Sequence, residues 1–294
     1  MIRNMASKSS DIGRQLRSVL DRMNAAALRR PQQLQGLNIR LVAVSKTKPV
    51  SMILEAYDCG QRHFGENYVK ELEEKGHDPQ ILQHCKDIKW HFIGHLQKNK
   101  VNRVTNVPGL CMVETVDSEK LATALNNSWG KLSQNRPLHI MLQVNTSGED
   151  SKNGLQPSEA AAMALFVQDK CLHLKLAGLM TIGAFERSVG DDINPDFQCL
   201  VQCRQKVAEV LGVGELELEL SMGMSHDFEH AIEAGSTNIR VGSTIFGVRD
   251  YPQNQTHGST ASDSNSCSSS LTSKNKSDSG EASGSSHNSV SFVS

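Results

Sequence analysis

The sequence has no long apolar run. Nothing in its 294 residues approaches the roughly 20 consecutive apolar positions that a membrane-spanning helix needs. It also lacks a charge excess: a net charge of −1 and a pI near 6.8 leave no electrostatic footprint for nucleic acid or an anionic membrane. There is no CxxC pair and no zinc-ligand spacing. The seven cysteines, Cys59, Cys85, Cys111, Cys171, Cys199, Cys203 and Cys267, are scattered and read as reduced thiols of a cytosolic protein. A GxGxxG turn after an early strand is missing too, which argues against a doubly wound dinucleotide fold. What is present is 38% apolar residues, enough to bury a substantial core.

Three regions follow from composition and periodicity. In residues 1–37, Ile12, Leu16, Val19, Leu20, Met23 and Ala27 recur at helical spacing and predict an amphipathic helix packed on the domain. The first ten residues have no acidic side chain, so a mitochondrial pool stands as the alternative to the cytosol. Residues 252–294 hold 16 serines in 43 positions and predict a disordered tail, because so little apolar area cannot offset backbone entropy. Between them, residues 38–251 alternate short apolar runs with helix-length stretches. Eight strands are expected, at Ile39–Ser45, Arg62–Gly65, Lys89–Ile93, Leu110–Val116, Leu138–Asn145, Lys175–Thr181, Glu217–Ser221 and Asn238–Val241. Eight such units in one domain predict an α/β fold, a single-domain (β/α)8 TIM barrel.

In a barrel the chemistry sits on the loops after the strands. The loops after strands seven and eight, the usual phosphate site of barrel enzymes, read "SMGMSHD" and "RVGSTIFG". Glycines there let backbone N–H groups approach a phosphate, and Ser243 and Thr244 would open a short helix. Lys46 follows the buried first strand and faces the same mouth. A partly desolvated lysine offers free amine for Schiff-base chemistry. Lysine plus a phosphate cup suits pyridoxal 5'-phosphate, and it suits a Schiff-base aldolase of sugar phosphates equally. Arg240, two residues before Gly242, would lie on the ring side of a ligand or pair with a carboxylate inside the barrel.

The segments "AVSKTKP", "HFGENYVKEL", "WHFIGHLQKNK", "ETVDS", "LMTIG" and "ELSMGMSHDFEHAIEAGSTNIRVGSTIFG" together resemble the pyridoxal phosphate homeostasis protein family, with vertebrate members most similar. The resemblance runs from about residue 10 to 251. It implies a fold-type III barrel like the N-terminal domain of alanine racemase, and pyridoxal 5'-phosphate as cofactor. By motif, it implies that Lys46 forms the internal aldimine and Asn67 lies near the ring. Ser221, Gly242, Ser243 and Thr244 would hold the phosphate, Met222 to Met224 would wall the pocket, and Arg240 would face the pyridine nitrogen. Lys48 and His91 would lie near the mouth.

Racemisation through this cofactor generally uses two bases. Alanine racemase takes a tyrosine from a second domain, which this sequence is not expected to have; its three tyrosines, Tyr57, Tyr68 and Tyr251, occupy no obvious site loop. The expectation is therefore a monomeric, non-catalytic binder that buffers the cofactor or delivers it to apoenzymes. A slow racemase-type enzyme is the alternative. A metal-dependent hydrolase would use the i,i+4 pairs His91/His95 and His226/His230, but His91 falls in a strand, so no metal is expected.

Overall fold

A computed structural model describes residues 11–132, 136–149, 151–184 and 194–248. The serine-rich segment 252–294 and the first ten residues, on which the tail and transit readings fall, lie outside the described residues. Eight parallel strands close into a barrel in sequential order: β1 (Arg40–Val44), β2 (His63–Glu66), β3 (Lys89–Phe92), β4 (Leu110–Val116), β5 (Leu138–Gln143), β6 (Leu174–Met180), β7 (Glu219–Ser221) and β8 (Asn238–Val241). Pairing of Leu41 with Ile239 and Val42 with Arg240 joins the last strand to the first.

The helices are α1 (Asp11–Leu28), α2 (Val50–Asp58), α3 (Val69–Gly76), α4 (Pro79–His84), α5 (Val101–Thr105), α6 (Glu119–Lys131), α7 (Ala160–Lys170), α8 (Pro195–Leu211), α9 (Phe228–Glu233) and α10 (Ser243–Phe246). Local chemistry sets several of their ends. Ser118 caps α6, Asp78 and Pro79 open α4, and Gly212 closes α8 in the left-handed region. Helix α1 buries Ile12, Leu16, Val19, Met23 and Ala26 on one stripe and packs against α9 and α10. Arg22 holds it there through both oxygens of Glu229, at 2.9 and 2.7 Å. None of the helices among the described residues is long and apolar enough to cross a membrane.

Six strands differ from the sequence expectation at their ends, four by a single residue and β5 and β7 by two, the latter each for a local reason. Strand β7 starts at Glu219 because Glu215–Glu217 form a 3-10 turn, closed by Gly214 N–H donating to Glu217 Oε1 at 2.7 Å. Strand β5 stops at Gln143. Val144 then makes only a single bridge to Leu155, and the Asn145 amide donates to the Glu149 carbonyl at 2.9 Å.

Strand residues alternate between two packing layers. Leu41, Phe64, Trp90, Val113, Leu179 and Ile239 meet the helices in the main core. Met112, Met141 and Met180 form a separate cluster with Ala177. The barrel interior also holds a polar group set that determines much of the site's shape.

Candidate functional site

The loops after the strands enclose a cavity of about 320 Å³. Lys46, Lys48 and Arg240 bring basic groups to its wall, Ser225 and Ser243 bring hydroxyls, and Asp227 brings a carboxyl. Val44, Ile93, Ile182 and Met224 supply apolar surface. Cationic and hydroxylic groups converging in an apolar pocket of this size suit a small anionic ligand.

Lys46 is half-buried directly after β1, and both its neighbours are held from the helix side. The Ser45 hydroxyl donates to Glu66 Oε1 at 2.7 Å, and the Ser45 carbonyl accepts from Lys75 Nζ at 2.8 Å. On the other side, Thr47 N–H donates to Glu71 Oε2 at 2.8 Å. Lys75 ties both carboxylates together, at 2.7 Å to Glu66 and 2.9 Å to Glu71. Thr47 has a φ of +62°, the one non-glycine residue at positive φ among the described residues. Such a conformation costs on the order of 1–3 kcal/mol and persists only where its surroundings enforce it. Here the clamp of Glu66, Glu71 and Lys75 does so, and it sets the direction in which Lys46 leaves the strand.

Burial pushes the Glu66 carboxyl up to about 7, against the opposing pull of Lys75 and Ser45. A folded-state value above the ordinary 4.5 means that this group's contribution to stability is complete below that pH and is lost as pH rises through about 7. The expected outcome is a steeper fall of unfolding free energy between pH 4.5 and 7 in the parent chain than in Glu66→Gln. Urea denaturation of both across that range checks it, and parallel profiles would contradict the assignment.

Arg240 reaches the cavity from β8, and its other contacts run down the barrel axis. Nη1 donates to the Ser221 hydroxyl and Nη2 to the Thr181 carbonyl, at 2.7 Å. Ser221 Oγ donates to Glu114 Oε2 at 2.6 Å. The other Glu114 oxygen accepts from His91 Nδ1 at 2.6 Å and Asn238 Nδ2 at 3.0 Å. Burial alone would raise the Glu114 pKa, but its bonds to His91 and Ser221 and the charges of His91 and Arg240 hold it at about 2. The carboxylate expected as one possible partner of Arg240 therefore exists. It acts through Ser221 rather than by direct contact.

Asn67, on the loop after β2, is set by close backbone approach: a Cβ on Gly94 would lie 1.9 Å from the Asn67 carbonyl oxygen. Its side-chain Oδ1 is buried and has no hydrogen-bond partner among the described residues, and Asn67 lines the cavity. An unsatisfied buried acceptor at a pocket wall is a ready contact for a ligand donor.

The corner of the cavity built by the loops after β7 and β8 differs from the sequence expectation. Ser221 does not line it; the residue is fully buried on β7 and committed to Glu114 and Arg240. Met222 is likewise buried in the main core, and Thr244 stands half-buried outside the lining. The chain turns at Gly223 with φ +94°, where a Cβ would sit 2.5 Å from Ala231 Cβ. That turn delivers Met224 and Ser225 to the cavity, and Ser225 Oγ accepts from Gly242 N–H at 3.3 Å. Gly242 and Ser243 line the same corner. The motif "SMGMS" offers two serines four apart, and only the backbone turn between them selects Ser225.

Lys48 lies at the mouth as expected, with Nζ donating to the Val248 carbonyl at 2.8 Å. His91 does not: it is fully buried inside the barrel. His95 is exposed and faces Asp117 at 3.7 Å, so the His91/His95 pair does not converge on one point. His226 and Asp227 also line the cavity. His226 entered the sequence reading only as half of the His226/His230 pair, and Asp227 carries no sequence signal beyond its place in the loop after β7.

Residues 20–250 match the family described as alanine racemase, N-terminal domain. The pyridoxal phosphate homeostasis protein of Mus musculus is 55% identical over 240 residues, covering 82% of this chain and 88% of its own. That of Homo sapiens is 52% identical over 252 residues, covering 86% and 92%. Among solved structures, PipY of Synechococcus elongatus with PLP bound superposes with a TM-score of 0.62 at 32% identity, over 80% of this chain and 100% of its own.

Proposed function

The chain belongs to the alanine racemase N-terminal domain family and, with these relatives, to the pyridoxal phosphate homeostasis proteins, and on that premise we propose that it binds pyridoxal 5'-phosphate through Lys46 and holds it in reserve. The observation that carries the reading is convergence. Lys46, Arg240 and the Ser225–Gly242–Ser243 corner all line one cavity of about 320 Å³.

The residues present fit the cofactor. Ser225, Gly242 and Ser243 form a hydroxyl and N–H corner for the phosphate, and Lys48 offsets its charge. Asn67 Oδ1 supplies the buried acceptor. When bound, the cofactor supplies an aldehyde that condenses reversibly with a lysine amine. Every other role falls to the chain: the Glu66–Glu71–Lys75 clamp orients Lys46, and the Thr181 and Ser221 contacts fix the Arg240 guanidinium.

Two features favour a carrier over a catalyst. A guanidinium only donates and stays charged, so Arg240 would hold the pyridine nitrogen of a bound cofactor unprotonated and weaken it as an electron sink. Among the described residues that line the cavity there is no tyrosine, the usual second base of racemisation. A slow racemase remains the second reading because His226 and Asp227 stand at the same wall. We place the carrier in the cytosol as a monomer, consistent with the free cysteines among the described residues, with apoenzymes as recipients.

The test pairs two measurements on the full chain. Titration with pyridoxal 5'-phosphate is expected to saturate at one equivalent with a visible absorption band. Exchange of the amino-acid α-proton in heavy water is expected to match the rate of free cofactor. Exchange well above that rate, lost in His226→Ala or Asp227→Asn, would establish the racemase reading instead. For the phosphate corner, Ser225→Ala is expected to weaken retention by about tenfold, a loss of roughly 1.4 kcal/mol. Free inorganic phosphate should compete less well against that variant, and an unchanged dissociation constant would remove Ser225 from the site.

A further inference from the structure

The loops after the strands absorb the site described above, but a second cluster of metal-ligating atoms lies toward the other end of the barrel. His63 is the first residue of β2, His91 lies on β3 and Cys111 is the second residue of β4, so three adjacent strands present them side by side. A register irregularity between Trp90 and His91 sets Met112, rather than Cys111, opposite His91 and makes room for the extra β4 residue. His63 Nδ1 and His91 Nε2 are 2.8 Å apart, and one ligand atom from each of the three residues lies within 4.8 Å of the others. Ligand atoms around one tetrahedral zinc ion sit about 3.3 to 3.6 Å apart, given bond lengths of 2.0–2.3 Å.

From this geometry we propose that His63, His91 and Cys111 form a zinc-type divalent metal site at the N-terminal end of the barrel. Two imidazoles and one thiolate are a donor set that zinc favours. The second contact of His91 supports the assignment. Glu114 accepts from His91 Nδ1 at 2.6 Å, which leaves Nε2 as the atom aimed at the cluster. A carboxylate behind a histidine ligand fixes ring orientation and strengthens the ligand. The Cys111 thiolate offsets half of a divalent ion's charge, and the Glu114 carboxylate behind His91 is shared with Arg240 through Ser221. The neighbouring cation Arg40 is drawn off by its pair with Glu219, at 2.9 Å. As the ion binds, the proton that His63 Nδ1 shares with His91 Nε2 would move to His63 Nε2 through solvent, and the Cys111 thiol would lose its own proton to solvent. His63 and Cys111 are part-exposed, which leaves an entry path, while His91 is fully buried. Water would complete the fourth position.

None of this depends on the cofactor cavity, and the test is read without any activity. The full chain, stripped with a chelator, is titrated calorimetrically with zinc chloride alone. One site per chain is expected. His63→Gln and Cys111→Ser are each expected to weaken it by at least about tenfold, the lower end of the 10–100-fold cost of losing even an outer-shell partner. Cys59→Ser, at an exposed thiol elsewhere, should leave it unchanged. X-ray absorption of the zinc-loaded protein should show one sulfur near 2.3 Å, with nitrogens at about 2.0–2.1 Å. Circular dichroism confirms that both variants remain folded. Absence of a site, an unchanged affinity in both variants, or a shell with no sulfur or several would each overturn the proposal.

Discussion

Lys46→Ala is expected to remain folded and to lose covalent retention of pyridoxal 5'-phosphate. Lys46 is a half-buried loop residue, and Ser45 and Thr47 keep their bonds to Glu66, Lys75 and Glu71 without its side chain. Retention then rests on the phosphate corner and Arg240 alone. A fall of at least about a hundredfold, roughly 2.7 kcal/mol, is the expected outcome by equilibrium dialysis. Mass spectrometry after borohydride reduction should find the pyridoxyl group on the peptide carrying Lys46 in the parent and nowhere in the variant. Lys48 is the competing amine, since it lines the same cavity. Its Nζ is already bonded to the Val248 carbonyl, so Lys48→Ala should keep the reducible linkage. A reducible adduct in Lys46→Ala that disappears in the double variant would transfer the role to Lys48.

The largest stability effect is expected at Glu114. This carboxylate is fully buried and accepts from His91, Ser221 and Asn238, and Ser221 in turn accepts from Arg240. Glu114→Leu would fill much of the space but leave three donors without their acceptor and Arg240 without a compensating charge. Removing one partner of a buried charge network costs about 3–5 kcal/mol. For a domain of this size that corresponds to a melting temperature lower by roughly 10 °C. Thermal and urea unfolding of the parent and Glu114→Leu measure it. A loss below about 1 kcal/mol would mean that the three donors find other partners at little cost.

Much of the architecture was legible along the chain because it is written in local periodicity. Apolar runs such as Leu41–Val44 and Ile140–Leu142 mark strands buried on both faces, and the stripe from Ile12 to Ala27 marks α1. Lys46 stood out for the same reason, as an amine directly after a buried strand. Its clamp did not stand out, because nothing local in the sequence links Glu66, Glu71 and Lys75 to Ser45 and Thr47. Only the docking of α3 beside β1 and β2 turns those side chains toward Ser45 and Thr47.

The serines show where local reading stops. Ser221 and Ser225 share one motif and one chemistry, and the sequence offered no means to choose between them. The positive φ of Gly223 reverses the chain between the two. It leaves Ser221 in the barrel interior, bonded to a carboxylate 107 positions away, and carries Ser225 to the cavity. Glu114 and Asn238 meet across 124 positions, and His63 meets His91 across 28. Periodicity carries the strand count, the face of each strand and the lysine at the mouth, because these depend on neighbours a few residues apart. Barrel closure alone decides which inward side chains face one another, since that depends on stagger between strands distant in sequence.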